Sequence, residues 1–463
     1  MREELTGMAE HGGKRAFSCA AVVSDVFVAY LLSVYLLAVP AGGYSNITVF
    51  KYALFMSACG IYAALMLFFA VRGLIRGRSS GRTPRRLTIC NIARLALCAF
   101  LLFSALSAAF SPWGGAVVGG ARREGLLTVA AYIVTCLLVS RFSRPAPWML
   151  WMSGISVSLF CVLSLVQFSG ADPLGLYPAG TAWAAGDGVT PVEFFGTVGN
   201  ADLSVAVLCA SAGAFFMALF RCRRWTRLFL LVPMALAVTV ILKSGVEAGK
   251  VALAAGVLLS LPVIAGKNRR LRRAAAVFAA AVIVLFIAVL AFRTPSSSGI
   301  LYEASELLHG RWNDSFGSGR IYIWRNCLKL FTERPLFGGG PDTLGSRDLP
   351  PFVRWDPEYG MLKRSIDAAH NEYLNILVNQ GFFALVSYLS SLIAGAVHWY
   401  RPDNDPAAAA AGGAVLFYSI QAFFGISMCL SAPYMWLALG ILLRAGSRLR
   451  EDRIGRPDPP ETE

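Results

Sequence analysis

The sequence predicts an all-α integral membrane protein with about twelve transmembrane helices and one long extracytoplasmic loop subdomain between the ninth and tenth spans. Hydrophobic residues make up 56% of the 463-residue chain, charged residues only 15%, and the mean hydropathy is +0.58. Apolar stretches of roughly 20 residues, long enough to cross about 30 Å of hydrocarbon as a helix, recur along nearly the whole sequence. One long polar segment, residues 293–372, interrupts them.

Apolar stretches of span length define the predicted helices in order. Their approximate ranges are 16–40, 49–71, 92–111, 124–140, 148–168, 200–220, 226–242, 250–266, 274–292, 373–397, 411–430 and 434–447. The first is too long for the core of a signal peptide, so we predict that it is a span. The predicted domains are a nine-span bundle, the loop subdomain, a three-span bundle and a disordered cytoplasmic tail, with the boundaries 1–292, 293–372, 373–447 and 448–463.

The basic residues predict the topology. The formal charge is +15, but the excess of arginine and lysine lies in alternate loops, around residues 72–86, 221–227 and 267–273. Positive charge beside transmembrane helices marks the cytoplasmic side. We therefore expect a multi-pass protein of the cytoplasmic (inner) membrane, with both termini in the cytoplasm, the loop 293–372 outside and no nucleic-acid partner.

Neither the cysteines nor the histidines form a metal-binding pattern. The ten cysteines lie mostly in apolar stretches and include no CxxC motif, whereas a zinc site needs closely spaced ligands. The four histidines are scattered along the chain. The sequence therefore predicts no metal and no cofactor.

The long polar loop contains a predicted amphipathic helix. Ile321, Trp324, Leu328 and Phe331 recur at helical spacing, which is typical of a helix lying on a bundle or at a membrane surface. Pro335 and the glycines that follow it end the helix.

Arginines on the predicted outer side are not explained by topology. Arg122 and Arg123 lie in a short outer loop, and Arg320 and Arg325 lie in the long one. A guanidinium offers planar, bidentate donors to phosphate oxygens and stays charged, so a pyrophosphate is a candidate ligand. Pairing with loop carboxylates is the alternative.

Two further segments could bind an anionic head group. Lys243, Glu247 and Lys250 would share one face if the turn around them were helical, and they would then either line a polar cavity or pair with each other. Asn200 precedes a span beside two glycines, where it would either cap the helix or contact a ligand.

His370 ends the long loop, directly before Asn371 and the next apolar stretch. An imidazole with an unperturbed pKa near 6.5 can act as a general base at neutral pH. Asn371 could orient the ring or bind a sugar hydroxyl. The alternative is a polar interfacial histidine without a catalytic role.

The stretch AHNEYLNILVNQG, from Ala369 to Gly381, resembles the signature of the bacterial O-antigen ligase and O-antigen polymerase superfamily, in which His-Asn is followed by nine residues and a glycine. The resemblance extends from about residue 110 to residue 445. Its further matches are Gly319 and Arg320 with Trp324, ERPLFGGG at 333–340, GTVGN at 196–200 and RREG at 122–125.

The chain departs from the pattern of that family at two places. After the glycine the family has two residues and then Gly, Thr or Tyr, whereas Phe382 and Phe383 here precede Ala384. The family usually carries Ser-Arg-Gly in the outer turn where this chain has the segment 243–250. Lys243 or Lys250 would replace that arginine as a less directional donor.

The resemblance implies a metal-independent glycosyltransferase of the ligase or polymerase type. The donor would be a glycan on undecaprenyl diphosphate, and the acceptor a hydroxyl of a lipopolysaccharide core, a growing polysaccharide or a protein. His370 would deprotonate the acceptor, while Arg320, with Arg122 or Arg123, would stabilise the departing diphosphate. Substrate-binding roles are expected for the residues Arg122, Arg123, Lys243, Lys250, Asn200, Arg325 and Asn371.

Two other classes of protein remain possible on the sequence. A transporter or flippase of lipid-linked saccharides would place charges and broken helices inside its spans, whereas most of the charge here lies in loops. A peptidoglycan-type glycosyltransferase would need a catalytic carboxylate in an outer loop, for which Asp342 and Asp367 are available.

Overall fold

The computed structural model describes residues 19–75, 88–178, 193–292, 299–356, 360–402 and 405–454. Predictions for residues 1–18, for the arginines between residues 76 and 87 and for the end of the tail after residue 454 lie outside these ranges. The described chain is mostly helical, with two small antiparallel hairpins.

Helices account for most of the described residues. They are α1 (Cys19–Leu32), α2 (Val34–Leu37), α3 (Ile47–Ile75), α4 (Ile89–Ala109), α5 (Ala116–Gly119), α6 (Leu126–Phe142), α7 (Pro147–Phe168), α8 (Ala201–Arg221), α9 (Arg224–Lys243), α10 (Glu247–Ile264), α11 (Arg269–Phe292), α12 (Ile300–Leu308), α13 (Phe316–Glu333), α14 (Glu372–Gln380), α15 (Phe382–Trp399), α16 (Pro406–Gln421) and α17 (Ala432–Ile454). The strands are β1 (Phe194–Phe195), β2 (Gly199–Asn200), β3 (Phe352–Asp356) and β4 (Gly360–Arg364).

Within the described ranges, nine helical segments are long and apolar enough to cross a membrane. Two shorter apolar helices, Leu126–Phe142 and Ala432–Arg444, coincide with further predicted spans. The chain is therefore a mostly helical, multi-pass membrane protein, as the sequence predicted. The predicted spans at 373–397 and 411–430 differ from the structure.

The predicted single span 373–397 is wrong, because the helix breaks at Gly381 into α14 and α15. Gly381 has a φ of +88°, and a Cβ placed there would lie 2.2 Å from the carbonyl oxygen of Leu336. Glycine alone tolerates both this backbone conformation and so close an approach. The short helix α14 consequently belongs to the site region, and only α15 has the length of a span.

The predicted span 411–430 is displaced. Helix α16 begins at Pro406 because the side chain of Asp405 accepts a hydrogen bond of 2.7 Å from the backbone N–H of Ala408, and proline suits a first helical position. The helix ends at Gln421, so the following ten residues form a non-helical connection to α17. The tail prediction is also wrong in part, since α17 continues to Ile454.

The centre of the bundle is formed by α8 and α16. In the most apolar 18-residue stretch of α8, 78% of the residues are buried, against 11% in the corresponding stretch of α11. Helix α11 therefore lies at the periphery. Gly213 and Gly413 allow α8 and α16 to touch, since a Cβ at Gly213 would lie 2.3 Å from the carbonyl oxygen of Gly413. This contact joins the predicted N-terminal and C-terminal bundles.

The described part of the segment 293–372 forms a loop subdomain built from α12, α13 and the β3–β4 hairpin. Its small core contains the side chains of Ile323, Cys327, Leu344, Ile366, Ala369 and Val378. The predicted amphipathic helix is present as α13, but its predicted apolar face is partly wrong. Leu328 is 50% exposed, whereas Ile323 and Cys327 are buried.

Candidate active site

His370 lies in a tight connection immediately before α14. Asn371 caps this helix, because its Oδ1 accepts a hydrogen bond of 3.0 Å from the N–H of Leu374. The N–H of Glu372 donates to the carbonyl of Ala422 at 2.9 Å, which ties the start of α14 to the connection between α16 and α17. The structure thus gives Asn371 a capping contact and fixes the backbone beside the imidazole.

Helix α13 presents Arg320 and Trp324 on one face towards this connection, since residues four apart in a helix are neighbours. Trp324 Nε1 donates to the carbonyl of Ala369 at 2.9 Å, and its ring contacts the rings of Phe423 and Phe424. Arg320 Nε donates to the carbonyl of Phe424 at 3.2 Å. The helix therefore holds the guanidinium of Arg320 next to the segment that carries His370.

The loop before α6 brings Arg122 to the same place. Arg122 is 14% exposed at its side chain, and its Nε lies 3.5 Å from Oδ2 of Asp367, three residues before His370. The backbone N–H of Arg122 donates to Oδ2 of Asp342 at 2.6 Å. The predicted outer arginines Arg122 and Arg320 thus both reach the surroundings of His370.

Left-handed backbone conformations concentrate around these residues. Among the described residues other than glycine, a positive φ occurs at Arg123, Ser318, Asp342 and His370. Such conformations cost energy in L-residues and are commonly retained where function requires a particular geometry. All four positions lie in, or next to, the segments that carry Arg122, Arg320 and His370.

Burial and the neighbouring charges set the protonation state of His370. Burial lowers the pKa of the imidazole, the positive charges of Arg320 and Arg122 lower it further, and the carboxylates of Asp202 and Asp367 raise it. The combined effect is a pKa below the ordinary value. The imidazole is consequently neutral at neutral pH, which is the form that can accept a proton.

The first turn of α8 contributes to this site through Asp202. Asn200 caps the helix, since its Oδ1 accepts from the N–H of Leu203 at 3.1 Å. Gln421 donates to the carbonyl of Asp202 at 3.3 Å, which places α8 next to the end of α16. The sequence pointed to the cap and did not assign the carboxylate of Asp202 to the site.

Other predicted site residues have different surroundings. The guanidinium of Arg123 lies over the ring of Tyr52, 5.3 Å from its centroid. Arg325 Nη2 lies 2.7 Å from Oδ1 of Asp314, on another face of α13 than Arg320. The structure therefore gives both arginines partners outside the immediate surroundings of His370.

The condition for a shared face of Lys243, Glu247 and Lys250, a helical turn around them, is not met. Helix α9 ends at Lys243 and α10 begins at Glu247, so a turn separates them. Lys250 Nζ lies 2.6 Å from Oε1 of Glu247, which is the pairing that the sequence left open. Lys243 is exposed at the end of α9.

The glycine run before Asp342 fits against the broken helix. The N–H of Gly340 donates to the carbonyl of Asn379 at 2.7 Å, and a Cβ at Gly338 would lie 2.5 Å from that oxygen. Ser107 Oγ, from α4, donates to the same carbonyl at 3.0 Å. The glycines thus let the loop subdomain pack directly on the backbone of α14.

Two buried carboxylates that lie near the site, Glu124 and Glu372, were not assigned by the sequence analysis. Glu124 accepts hydrogen bonds from the Tyr132 hydroxyl at 2.9 Å and from the Cys429 N–H at 2.6 Å. Glu372 accepts from the hydroxyls of Tyr388 and Tyr418. Each carboxylate has one partner from a distant segment, Cys429 for Glu124 and Tyr418 for Glu372, so local sequence patterns did not reveal these contacts.

Comparison with known families agrees with the signature around His370. Residues 232–389 match the model of the family described as O-antigen ligase, and this range contains Arg320 and His370. No curated protein matches the chain. The predicted resemblance to the O-antigen ligase superfamily is therefore confirmed over residues 232–389.

Proposed function

We propose that this protein transfers a glycan from undecaprenyl diphosphate to an acceptor hydroxyl at the outer face of the cytoplasmic membrane, without a metal. The observation that carries the proposal is the convergence of Arg122 and Arg320 on the imidazole of His370, which couples a base to two phosphate-binding groups. The O-antigen ligase domain supports a ligase or polymerase type of activity.

In the proposed reaction, His370 accepts the proton of the acceptor hydroxyl while the oxygen of that hydroxyl attacks the anomeric carbon of the glycan. The bond between that carbon and the diphosphate oxygen breaks, and undecaprenyl diphosphate leaves with the electron pair. Arg320 and Arg122 stabilise the negative charge that develops on the leaving group, an effect commonly worth a few kcal/mol. The acceptor class, whether glycan, lipid or protein, is left open by these contacts.

Most of the charge of the chain lies in loops, which is the argument against a transporter. Lys51 is an exception, because it is buried within α3, a helix of span length. Lys51 Nζ, however, donates to the carbonyls of Tyr35 and Leu36 at the end of α2, a structural role at a helix C-terminus. We therefore favour transfer over transport.

A carboxylate-based glycosyltransferase is the second alternative. Oδ2 of Asp342 accepts two backbone N–H bonds, from Arg122 and Glu124, which are the contacts of a carboxylate that holds a loop in place. Asp367 is 59% exposed at its side chain and lies beside Arg122. Asp367 is therefore the carboxylate that competes with His370 for the role of the catalytic group.

Purified protein in proteoliposomes, supplied with a glycan on undecaprenyl diphosphate and a hydroxyl acceptor, tests the proposal. We expect a new glycosidic bond and released undecaprenyl diphosphate, with the rate unchanged by a metal chelator. Movement of the lipid-linked glycan across the bilayer without a new bond would instead identify a transporter.

A further inference from the structure

Asp342 connects the loop subdomain to the loop that carries Arg122. Its Oδ2 accepts hydrogen bonds from the backbone N–H groups of Arg122 at 2.6 Å and Glu124 at 3.2 Å. These two bonds favour the ionised form of the carboxylate and oppose the effect of burial, which raises its pKa. The two bonds fix the backbone on both sides of Arg123, which itself has a φ of +62°.

The loop is shaped closely around this carboxylate. Gly120 has a φ of +77°, and a Cβ placed there would lie 2.2 Å from Oδ2 of Asp342. Asp342 has a φ of +57°, a conformation that aspartate adopts more readily than most residues. The N–H groups of Arg122 and Glu124 point to the carboxylate, whereas the N–H of Arg123 between them donates to the carbonyl of Gly120 at 3.3 Å.

The side chain of Arg122 needs this backbone support. Its ion-pair partner Asp367 is 59% exposed, and the Nε to Oδ2 distance is 3.5 Å. An ion pair at this distance with one exposed partner contributes little to fixing a side chain. The backbone that Asp342 holds therefore contributes, together with burial of the side chain, to the direction of Arg122.

We propose that Asp342 is a positioning residue whose carboxylate fixes the loop 120–124, so that Arg122 faces the diphosphate of the donor beside His370. The inference rests on the proposed function and adds a role for a residue that does not touch the substrate. It predicts that Asp342 acts on turnover through Arg122.

Two substitutions separate the hydrogen bonds from the unusual backbone conformation. Asp342→Gly keeps the positive φ and removes the acceptor, whereas Asp342→Asn tolerates the same φ and retains an oxygen that can accept. In the proteoliposome transfer assay we expect Asp342→Gly to lower kcat/KM for the donor roughly 10-fold or more. Asp342→Asn should recover most of this loss.

A double-mutant cycle with Arg122→Gln is the decisive measurement. If Asp342 acts through Arg122, Asp342→Gly causes little further loss in the Arg122→Gln background. Asp342→Gly alone should also shift the acidic limb of the pH profile upwards, as Arg122→Gln does, which a merely structural defect would not produce. Independent, multiplicative losses with an unshifted pH profile would overturn the proposal.

Two controls keep the outcome interpretable. If Asp342→Gly does not fold, Gly120→Ala replaces it, because the added methyl group displaces the same carboxylate from the side of the loop. The loss of transfer activity caused by Gly120→Ala should likewise disappear in the Arg122→Gln background. Wild-type protein without transfer activity would contradict the proposed function itself. An active wild type with an additive cycle would contradict only the role of Asp342.

Discussion

At the scale of single residues, the protonation of His370 depends on charges from four separate segments. Burial and the guanidinium groups of Arg320 and Arg122 lower its pKa, and the carboxylates of Asp202 and Asp367 oppose them. A base must be deprotonated to act, so its activity is present above its pKa and is lost as the pH falls through it. The lowered pKa moves this loss to a more acidic pH.

The pH dependence of kcat/KM follows from this arrangement. We expect a plateau at neutral pH and a decrease with an apparent pKa below about 6.5, the unperturbed value for histidine. Arg122→Gln removes a positive charge and should move the decrease to higher pH. A wild-type profile that decreases from pH 8 to pH 7 would contradict the assignment of His370 as a neutral base.

Arg320 and Arg325 offer a matched pair on α13. Arg320→Lys keeps the charge and loses the planar, bidentate donor, so we expect a severe decrease in turnover. Arg325→Lys should have a small effect because Arg325 pairs with Asp314 on another face of the helix. Equal rates of transfer for wild type and Arg320→Lys would contradict a role of the Arg320 guanidinium in the reaction.

The sequence predicted His370, Arg320 and Arg122 because each belongs to a short motif. It did not predict the roles of Asp202 and Asp342, since what matters about these residues is their contacts with segments far away in the chain. Asp342 meets Arg122 across 220 positions. Lys243 and Lys250 were grouped on a helix that the turn at 244–246 interrupts.

At the scale of elements, the break at Gly381 separates α14 from the span that follows. The backbone at this break packs against the loop subdomain. The N–H of Phe382 donates to the carbonyl of Pro335 at 2.9 Å, and Gly381 lies against the carbonyl of Leu336. Apolar periodicity does not locate such a break, because apolar residues such as Ile376 and Val378 occur up to the break and resume directly after it at Phe382. The nine long apolar helical segments, in contrast, follow directly from composition and length.

Gly381→Ala tests the importance of this break. The substitution combines a strained φ with a Cβ that would lie 2.2 Å from a backbone oxygen, so we expect a loss of about 2 kcal/mol or more in stability. Gly114→Ala is the control, because Gly114 also has a positive φ but nothing within 4 Å of the added Cβ. Thermal unfolding in detergent should show a clearly larger loss for Gly381→Ala, and equal losses would contradict the packing argument.

At the scale of the whole molecule, the site depends on segments from every large part of the chain. Arg122 precedes α6, Asp202 lies at the start of α8, Arg320 belongs to the loop subdomain, and His370 precedes α14. The contact of α8 with α16 and the packing of the glycine run on α14 hold these parts together. A site with this construction can form only when the bundle and the loop subdomain fold together.

Replacement of His370 is the strongest test of its proposed role as the base of a glycosyl transfer. His370→Ala should lower transfer in proteoliposomes by roughly 10²- to 10⁴-fold, the usual contribution of a general base. His309→Ala is the matched control in the same loop subdomain, since the Nδ1 of His309 lies 2.7 Å from the carbonyl oxygen of Ser305, at the end of α12. We expect the loss for His370→Ala alone, with both variants folded. Full transfer by a folded His370→Ala protein would contradict the assignment of His370 as the base.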